Sequence, residues 1–329
     1  MHKLLSLLLL ALTVPLFGGE TRNVETRNVE TRAVPPPPRK MLYASAKALE
    51  RAGEFAEAKA IYRMALHNGA GGRNKDEAFL GLARCEEREG NFWAAFLAVE
   101  SSYPTRDELL NLPAAERGDE LARRAKMEMR YADELLKLGD AETPATQDGK
   151  KLNGYQAAAA IFYAVVYNNP QAPVARTALL RRGDCLKNAG DFAEAEKSYR
   201  MLINTFPDAP EITAAKISLA SALAEKTADT GGLRGREERE TTDLLLSTST
   251  APLPPELREK LAATKSEIDE NKAQALLATV KNHYAKRSNS RDRHAATFLL
   301  NDILDRYPQT AAAAEAAKML GKSAAGSGQ

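Results

Sequence analysis

Ala52-Gly53-Glu54-Phe55-Ala56-Glu57-Ala58, running on to Tyr62, decides how this chain reads, because the pattern returns as Gly90-Asn91-Phe92-Trp93-Ala94-Ala95 and as Gly190-Asp191-Phe192-Ala193-Glu194-Ala195, running on to Tyr199. Each copy follows one amphipathic stretch and opens another. Glycine takes the positive φ that ends the first helix, the acidic or amide residue after it is placed to cap the second, and the aromatic wedges between them. The alanine falls where the two helices cross most closely, because a larger side chain would push them apart. Each copy is therefore a helical hairpin. A fourth is legible at Leu138-Gly139-Asp140, with its second helix at Tyr155 to Tyr167 after an insertion at 141–153. Tyr155 precedes Pro170 by fifteen residues and Phe192 precedes Pro207 by the same interval, so both second helices are expected to stop at matching prolines.

Outward from these hairpins, apolar positions recur every three or four residues and almost no run alternates in β-branched residues, so the chain past the tether is predicted to be helical throughout. One hairpin cannot bury its apolar face alone. Stacked neighbours make a continuous core, and the expected fold is all-α: a helical-hairpin repeat superhelix, or solenoid, of about five hairpins with a concave surface. The expected organisation is a signal peptide at 1–19, a charged and Pro-rich tether at 20–39, repeats at 40–226, a polar insertion at 227–255, a long helix and last repeat at 256–321, and a disordered tail at 322–329.

At the N-terminus, Met1-His2-Lys3 supplies a short positive region, Leu4 to Leu12 an apolar core, and Leu16-Phe17-Gly18-Gly19 small residues where a signal peptidase can cut. The apolar run is shorter than the roughly 20 residues of a membrane-spanning helix. A lipid anchor would need a cysteine at the cleavage point, where Gly18, Gly19 and Glu20 stand. The expectation is an exported, periplasmic chain without an encoded lipid anchor. Three pentapeptides, Glu20 to Val24, Glu25 to Val29 and Glu30 to Val34, then lead into Pro35 to Pro38. Alternating charge without large apolar residues cannot bury a core, and the prolines stiffen the chain into a spacer.

The 46 basic and 44 acidic residues are intermixed and leave a net charge of +2, too weak a field to draw nucleic acid or anionic lipid. Cys85 and Cys185 lie in no metal-ligand or redox spacing and occupy equivalent repeat positions, so both are expected to be buried as small apolar residues. Trp93 is expected to be buried at its hairpin. His2, His67, His283 and His294 form no i, i+4 pair with each other, and the break expected at Ser288-Asn289-Ser290 separates the last two. Gly69-Ala70-Gly71-Gly72 reads as a helix-to-helix turn, and no phosphate loop or nucleophile elbow occurs. No metal, no cofactor and no enzymatic activity are expected.

Aligned on Gly53, Gly90 and Gly190, the order small residue, Gly, acidic, aromatic, Ala, Tyr, with Ala83 and Gly183 at the small site of the first helix, resembles the tetratricopeptide repeat over residues 40–104 and 154–226. Leu257, Leu261, Ile268, Leu276, Val280 and Tyr284 form one stripe of a long helix. It leads into Tyr284-Ala285-Lys286-Arg287, Ala295-Ala296 and Tyr307-Pro308-Gln309-Thr310. That block resembles the last repeats of the BamD family, the helical-repeat component of the outer-membrane β-barrel assembly machine. The ending Phe206-Pro207-Asp208-Ala209-Pro210 is shared with its relative, the periplasmic cell-division coordinator that partners the Tol system. Departures are the missing lipid-bearing cysteine, Ser288-Asn289-Ser290 where a Gly-x-aromatic is expected, and the two insertions. The resemblance implies a non-catalytic periplasmic scaffold that contacts a β-barrel assembly component or a nascent outer-membrane protein peptide. The alternative it leaves open is a general periplasmic adaptor of the cell-division/Tol coordinator type.

In such repeats certain first-helix residues line the concave groove. Counted from the hairpin glycines they are Tyr43, Lys47, Glu50 and Arg51, then Leu80, Arg84, Glu87 and Arg88, then Leu180, Asp184 and Lys187. A groove of mixed charge and apolar surface suits an extended peptide.

Overall fold

The computed structural model describes residues 39–68, 73–103, 113–228, 235–249, 252–284 and 290–326; the signal-like segment, the pentapeptides and the polyproline run lie outside them. In chain order the described residues form α1 (Arg39–Ala52), α2 (Phe55–His67), α3 (Arg73–Arg88), α4 (Phe92–Ser101), α5 (Ala114–Leu136), strands β1 (Glu142–Gln147) and β2 (Lys150–Asn153), and α6 (Gly154–Asn168). Then come α7 (Pro173–Asn188), α8 (Phe192–Thr205), α9 (Ile212–Ala228), α10 (Gly235–Ser249), α11 (Pro255–Thr279) with a π-helical turn (Val280–Tyr284), α12 (Ser290–Arg306) and α13 (Ala311–Gly326). These elements fall into two units. The first holds α1 to α4 together with residues 142–152, and the second holds residues 113–141 and everything from Asn153 onward.

The turn chemistry read from the sequence is present at the three hairpins that define the repeat. Gly53, Gly90 and Gly190 have φ of 83°, 79° and 78°. The N–H of each following residue returns to a carbonyl five positions back, Glu54 to Leu49, Asn91 to Glu86 and Asp191 to Leu186, which closes the first helix with otherwise orphaned carbonyls satisfied. The expected side-chain caps hold only at Asp191, whose carboxylate accepts from the Glu194 N–H at 3.1 Å. Glu54 and Asn91 make no such bond; the Asn91 amide instead donates to Glu86 Oε2 at 3.0 Å.

Small residues then set how closely helices approach. A methyl group built on Gly81 of α3 would lie 2.3 Å from the ring of Tyr62 on α2, and one on Gly183 of α7 would lie 2.4 Å from the ring of Tyr199 on α8. Both tyrosines are fully buried, so neither ring has room to yield. Trp93 is buried against Phe96, with ring centroids 5.2 Å apart, as expected of a hairpin aromatic. Cys85 and Cys185 are buried free thiols, and burial pushes them up to about 11 and about 12, which keeps both protonated and inert. The second helices α6 and α8 end at Asn168 and Thr205, ahead of the matching prolines.

The expectation of helix throughout fails at the first insertion, where β1 and β2 form a two-stranded hairpin. Its turn is Asp148-Gly149, both at positive φ, 51° and 76°, the backbone a tight type I′ hairpin requires. Thr143, Ala145 and Leu152 are buried and their neighbours exposed, so the strands show the alternation the sequence reading passed over. The chain returns to the repeat through Asn153, which caps α6 in a reciprocal box with Gln156: Gln156 N–H to Asn153 Oδ1 at 2.8 Å, Asn153 N–H to Gln156 Oε1 at 3.1 Å.

Most of the second insertion is helical, in keeping with the expectation of helix past the tether. Residues 235–249 form α10, packed on α9 as the second helix of a further hairpin. Thr241, Leu245 and Thr248 are buried at helical spacing, so threonines occupy much of the core-facing stripe and make a packed helix look polar. The Thr248 hydroxyl meets its need by donating to the Leu245 carbonyl at 2.9 Å. At the C-terminus, α13 continues to Gly326 where a disordered tail was expected from residue 322, in keeping with the helix propensity of Ala324 and Ala325.

In the second unit α9 is buried almost all round its central turns, from Ala215 to Ala224, as expected of a helix packed on several sides, here by α7, α8, α10 and α11. The last core gathers Ala273, Leu277 and Val280 of α11 and its π turn with Leu300 and Ile303 of α12 and Ala312, Ala313 and Ala316 of α13. Glu270 of α11 reaches the start of α13, accepting from the N–H groups of Ala311 at 2.7 Å and Ala312 at 3.3 Å. No described helix is long and apolar enough to cross a membrane.

Candidate functional site

The predicted groove residues are best followed within each unit. In the first, Glu50 of α1 sits between two partners. It accepts both Arg84 Nε at 2.5 Å and a terminal Arg84 nitrogen at 2.9 Å from α3, and the Tyr62 hydroxyl at 2.7 Å from α2. Burial alone would raise the Glu50 carboxyl, but the Arg84 and Tyr62 bonds outweigh it and hold the group below its ordinary range. Tyr43 donates to Glu77 of α3 at 2.6 Å, lies 6.1 Å from the Tyr62 ring, and carries Lys47 over its face at 5.8 Å. Burial and the Glu77 carboxylate push the Tyr43 phenol up to about 12. Tyr43, Lys47, Glu50 and Arg84 are thus brought together, and they bind α1 to α3 as much as they face outward.

Leu80 is corrected: it is 2 % exposed and belongs to the core. An apolar side chain at this register is more stable in the core than in a wet groove, by about 2 kcal/mol for a leucine. Arg51 and Arg88 are exposed and Glu87 is half-buried, so the solvent-facing part of this set is mainly cationic.

In the second unit Leu180, Asp184 and Lys187 are all half-buried on α7. Asp184 Oδ1 accepts the Tyr199 hydroxyl at 2.8 Å and the Ser218 hydroxyl at 3.1 Å, and Lys260 of α11 lies 3.8 Å away. Lys187 donates to Ser221 at 3.0 Å and pairs with Glu225 at 3.4 Å. Three first helices, α7, α9 and α11, therefore share one polar ladder. Ser218, Ser221, Glu225, Lys260 and Glu267 were missed by the sequence reading. The signal was a spacing: Asp184 to Ser218 and Lys187 to Ser221 are each 34 residues, the same interval that joins Tyr43 to Glu77 and Glu50 to Arg84.

Elsewhere in this unit a largely apolar cleft of about 550 Å³ opens between α5 and the α6–α7 turn, lined among others by Leu121, Met129, Pro170 and Val174. Among the described residues no cluster of three or more His, Cys, Asp or Glu side chains is arranged to hold a metal.

With this geometry in place, residues 177–209, most of the α7–α8 hairpin, match the sequence profile of the tetratricopeptide repeat. The chain contains a tetratricopeptide repeat. Its all-α hairpin architecture is that of a helical repeat solenoid, and repeats of this kind are protein-interaction scaffolds. Among solved structures the chain is similar to TTC0263, a thermophilic repeat protein of Thermus thermophilus, at 16% identity over 69% of this chain and 98% of that one, with a TM-score of 0.31. It is also similar to the apo form of RapI, at 11% identity over 80% of this chain and 83% of that one, with a TM-score of 0.32. Neither likeness bears on function. None of the curated proteins compared matches the sequence.

Proposed function

We propose that the chain is a non-catalytic scaffold that holds an extended segment of another protein across its first-helix faces. The observation that carries this reading is the ladder itself. The ladder joins α7, α9 and α11; its Ser218 and Ser221 hydroxyls are buried, and half-buried Asp184, Lys187 and Lys260 form its accessible edge beside half-buried Leu180, a mixture of charge and apolar surface that suits an extended peptide. Such a scaffold acts by binding and requires no cofactor.

The finer reading is an exported, periplasmic scaffold of the BamD-like type in outer-membrane β-barrel assembly, associated with the membrane through its partners. Its support is the signal-like N-terminus, the length of α11 and the C-terminal block from Tyr284 to Thr310. Capture of the full chain from gently solubilised envelopes tests it, against a variant carrying Arg51→Glu and Arg88→Glu. These two arginines are exposed, whereas reversing Lys187 or Arg84 would break an internal ion pair and confuse binding with folding. Enrichment of an outer-membrane barrel protein with periplasmic domains, lost in the variant, is the expected result. Enrichment of soluble division proteins alone would replace this reading with the coordinator-type adaptor.

A further inference from the structure

Ser221 of α9, 2 % exposed, is the meeting point of three helices. Its hydroxyl accepts from Lys187 Nζ of α7 at 3.0 Å and lies 3.2 Å from Glu225 Oε1 on its own helix and 3.3 Å from Glu267 Oε2 of α11. One hydroxyl carries one proton and serves only one carboxylate at a time. Lys187 supplies a single positive charge, 3.4 Å from Glu225, against two negative ones. The node is therefore one proton short of neutrality, at a place where the lysine and Glu225 side chains are only 24% and 29% exposed.

We infer that this node is a proton-operated latch: taking one proton from solvent onto Glu267 lets that carboxyl donate to Glu225 and draws α11 against α9, and releasing it leaves two carboxylates opposed across the same contact. The charged groups that bear on Glu267 are Glu225 from α9 and Lys187 from α7. The other elements engage it elsewhere: α10 through the Glu238–Lys272 pair and the Lys265–Ser249 bond, and α13 through Glu270 and through Glu315, which pairs with Lys281 of the π turn. Burial and the Glu225 charge raise the Glu267 carboxyl above its ordinary value, against smaller opposing effects of Lys187 and Ser221. A carboxyl raised in the folded state contributes stability that is complete below its unfolded value and is lost as pH rises through the folded one. Because α11 shares its core with α12 and α13, the latch sets how firmly the C-terminal hairpin is held to the repeats. This inference does not depend on what the groove binds.

The test is thermal melting of the full chain between pH 4 and 8 for the wild type, Glu267→Gln and Glu225→Gln. A glutamine at 267 imitates the protonated state, so that variant is expected to melt about 2–4 °C above the wild type at pH 8 and to converge with it near pH 4. Glu225→Gln removes the opposing charge and is expected to abolish the same part of the pH slope. If the first variant does not fold, the second decides. Profiles that run parallel to the wild type across the range would overturn the latch.

Discussion

At the scale of single residues, the fold rests on a few close approaches that differ in how they can respond. A methyl group on Gly154 would stand 2.4 Å from the Leu135 carbonyl oxygen and 2.8 Å from the Gly139 nitrogen, both backbone atoms held by their own helix end. Gly154→Ala is therefore expected to cost about 3 kcal/mol, the upper part of the range for overpacking, measured by urea unfolding. Gly81→Ala meets the fully buried Tyr62 ring, which has no room to yield, and the gain in helix propensity offsets only part of that, so its cost is expected to be about 2 kcal/mol. Glu50 gives a pH test. Its folded value lies below the ordinary 4.5, so its contribution is present above pH 4.5 and is lost as pH falls through the lower folded value. Because Arg84 is 36% exposed, that contribution is about 1 kcal/mol, and Glu50→Gln is expected to flatten the acid limb of the stability curve. What was legible at this scale was the conformational demand on Gly53, Gly90 and Gly190, a local property. The destination of a longer side chain was not: Asn91 turned to Glu86 because the bond its amide N–H donates to a buried carboxylate is charge-assisted, and stronger than the neutral bond its oxygen would accept from a helix N–H open to water.

At the scale of elements, periodicity located the hairpins, missed the strands of the first insertion and read the second only as polar. Residues 142–153 carried a hairpin signal in Asp148-Gly149, but Pro144 and the short strands left no long alternating run. For α10, burial of Thr241 and Thr248 hides the core-facing stripe from any scale of apolarity. The capture of α13 by Glu270 could not be read from sequence at all, since it joins residues more than forty positions apart. It makes an element-level prediction: Glu270→Ala is expected to destabilise the C-terminal hairpin by about 1 kcal/mol. Amide hydrogen exchange should quicken over Ala311 to Ala317 while α7 and α8 keep their protection; equal loss across both would show that Glu270 acts on the whole unit.

At the scale of the molecule, the repeat interval is what converts hairpins into a surface. Residues 34 positions apart face one another on α1 and α3 and on α7 and α9, and the sequence reading found the face on α1, α3 and α7 but lost it on α9 and on α11, which meets α9 at intervals of 42 and 46 and where no hairpin glycine marks the register. Much of the charge on that face is used internally, by Glu50 and Arg84 in one unit and by Asp184, Lys187 and Lys260 in the other. On the proposed reading, binding in the second unit depends on Leu180 and on polar groups whose bonds a peptide backbone can exchange, and binding in the first depends on the exposed Arg51 and Arg88. The most direct measurement places a photo-crosslinking amino acid at Leu180, on the first-helix face, or at Met201, which is 45% exposed on the second helix α8, and compares the two in intact cells. Crosslinks to a discrete protein partner from position 180 and none from 201 are the expected result. Equal labelling from both positions, or from 201 alone, would contradict a scaffold that holds its partner across the first helices.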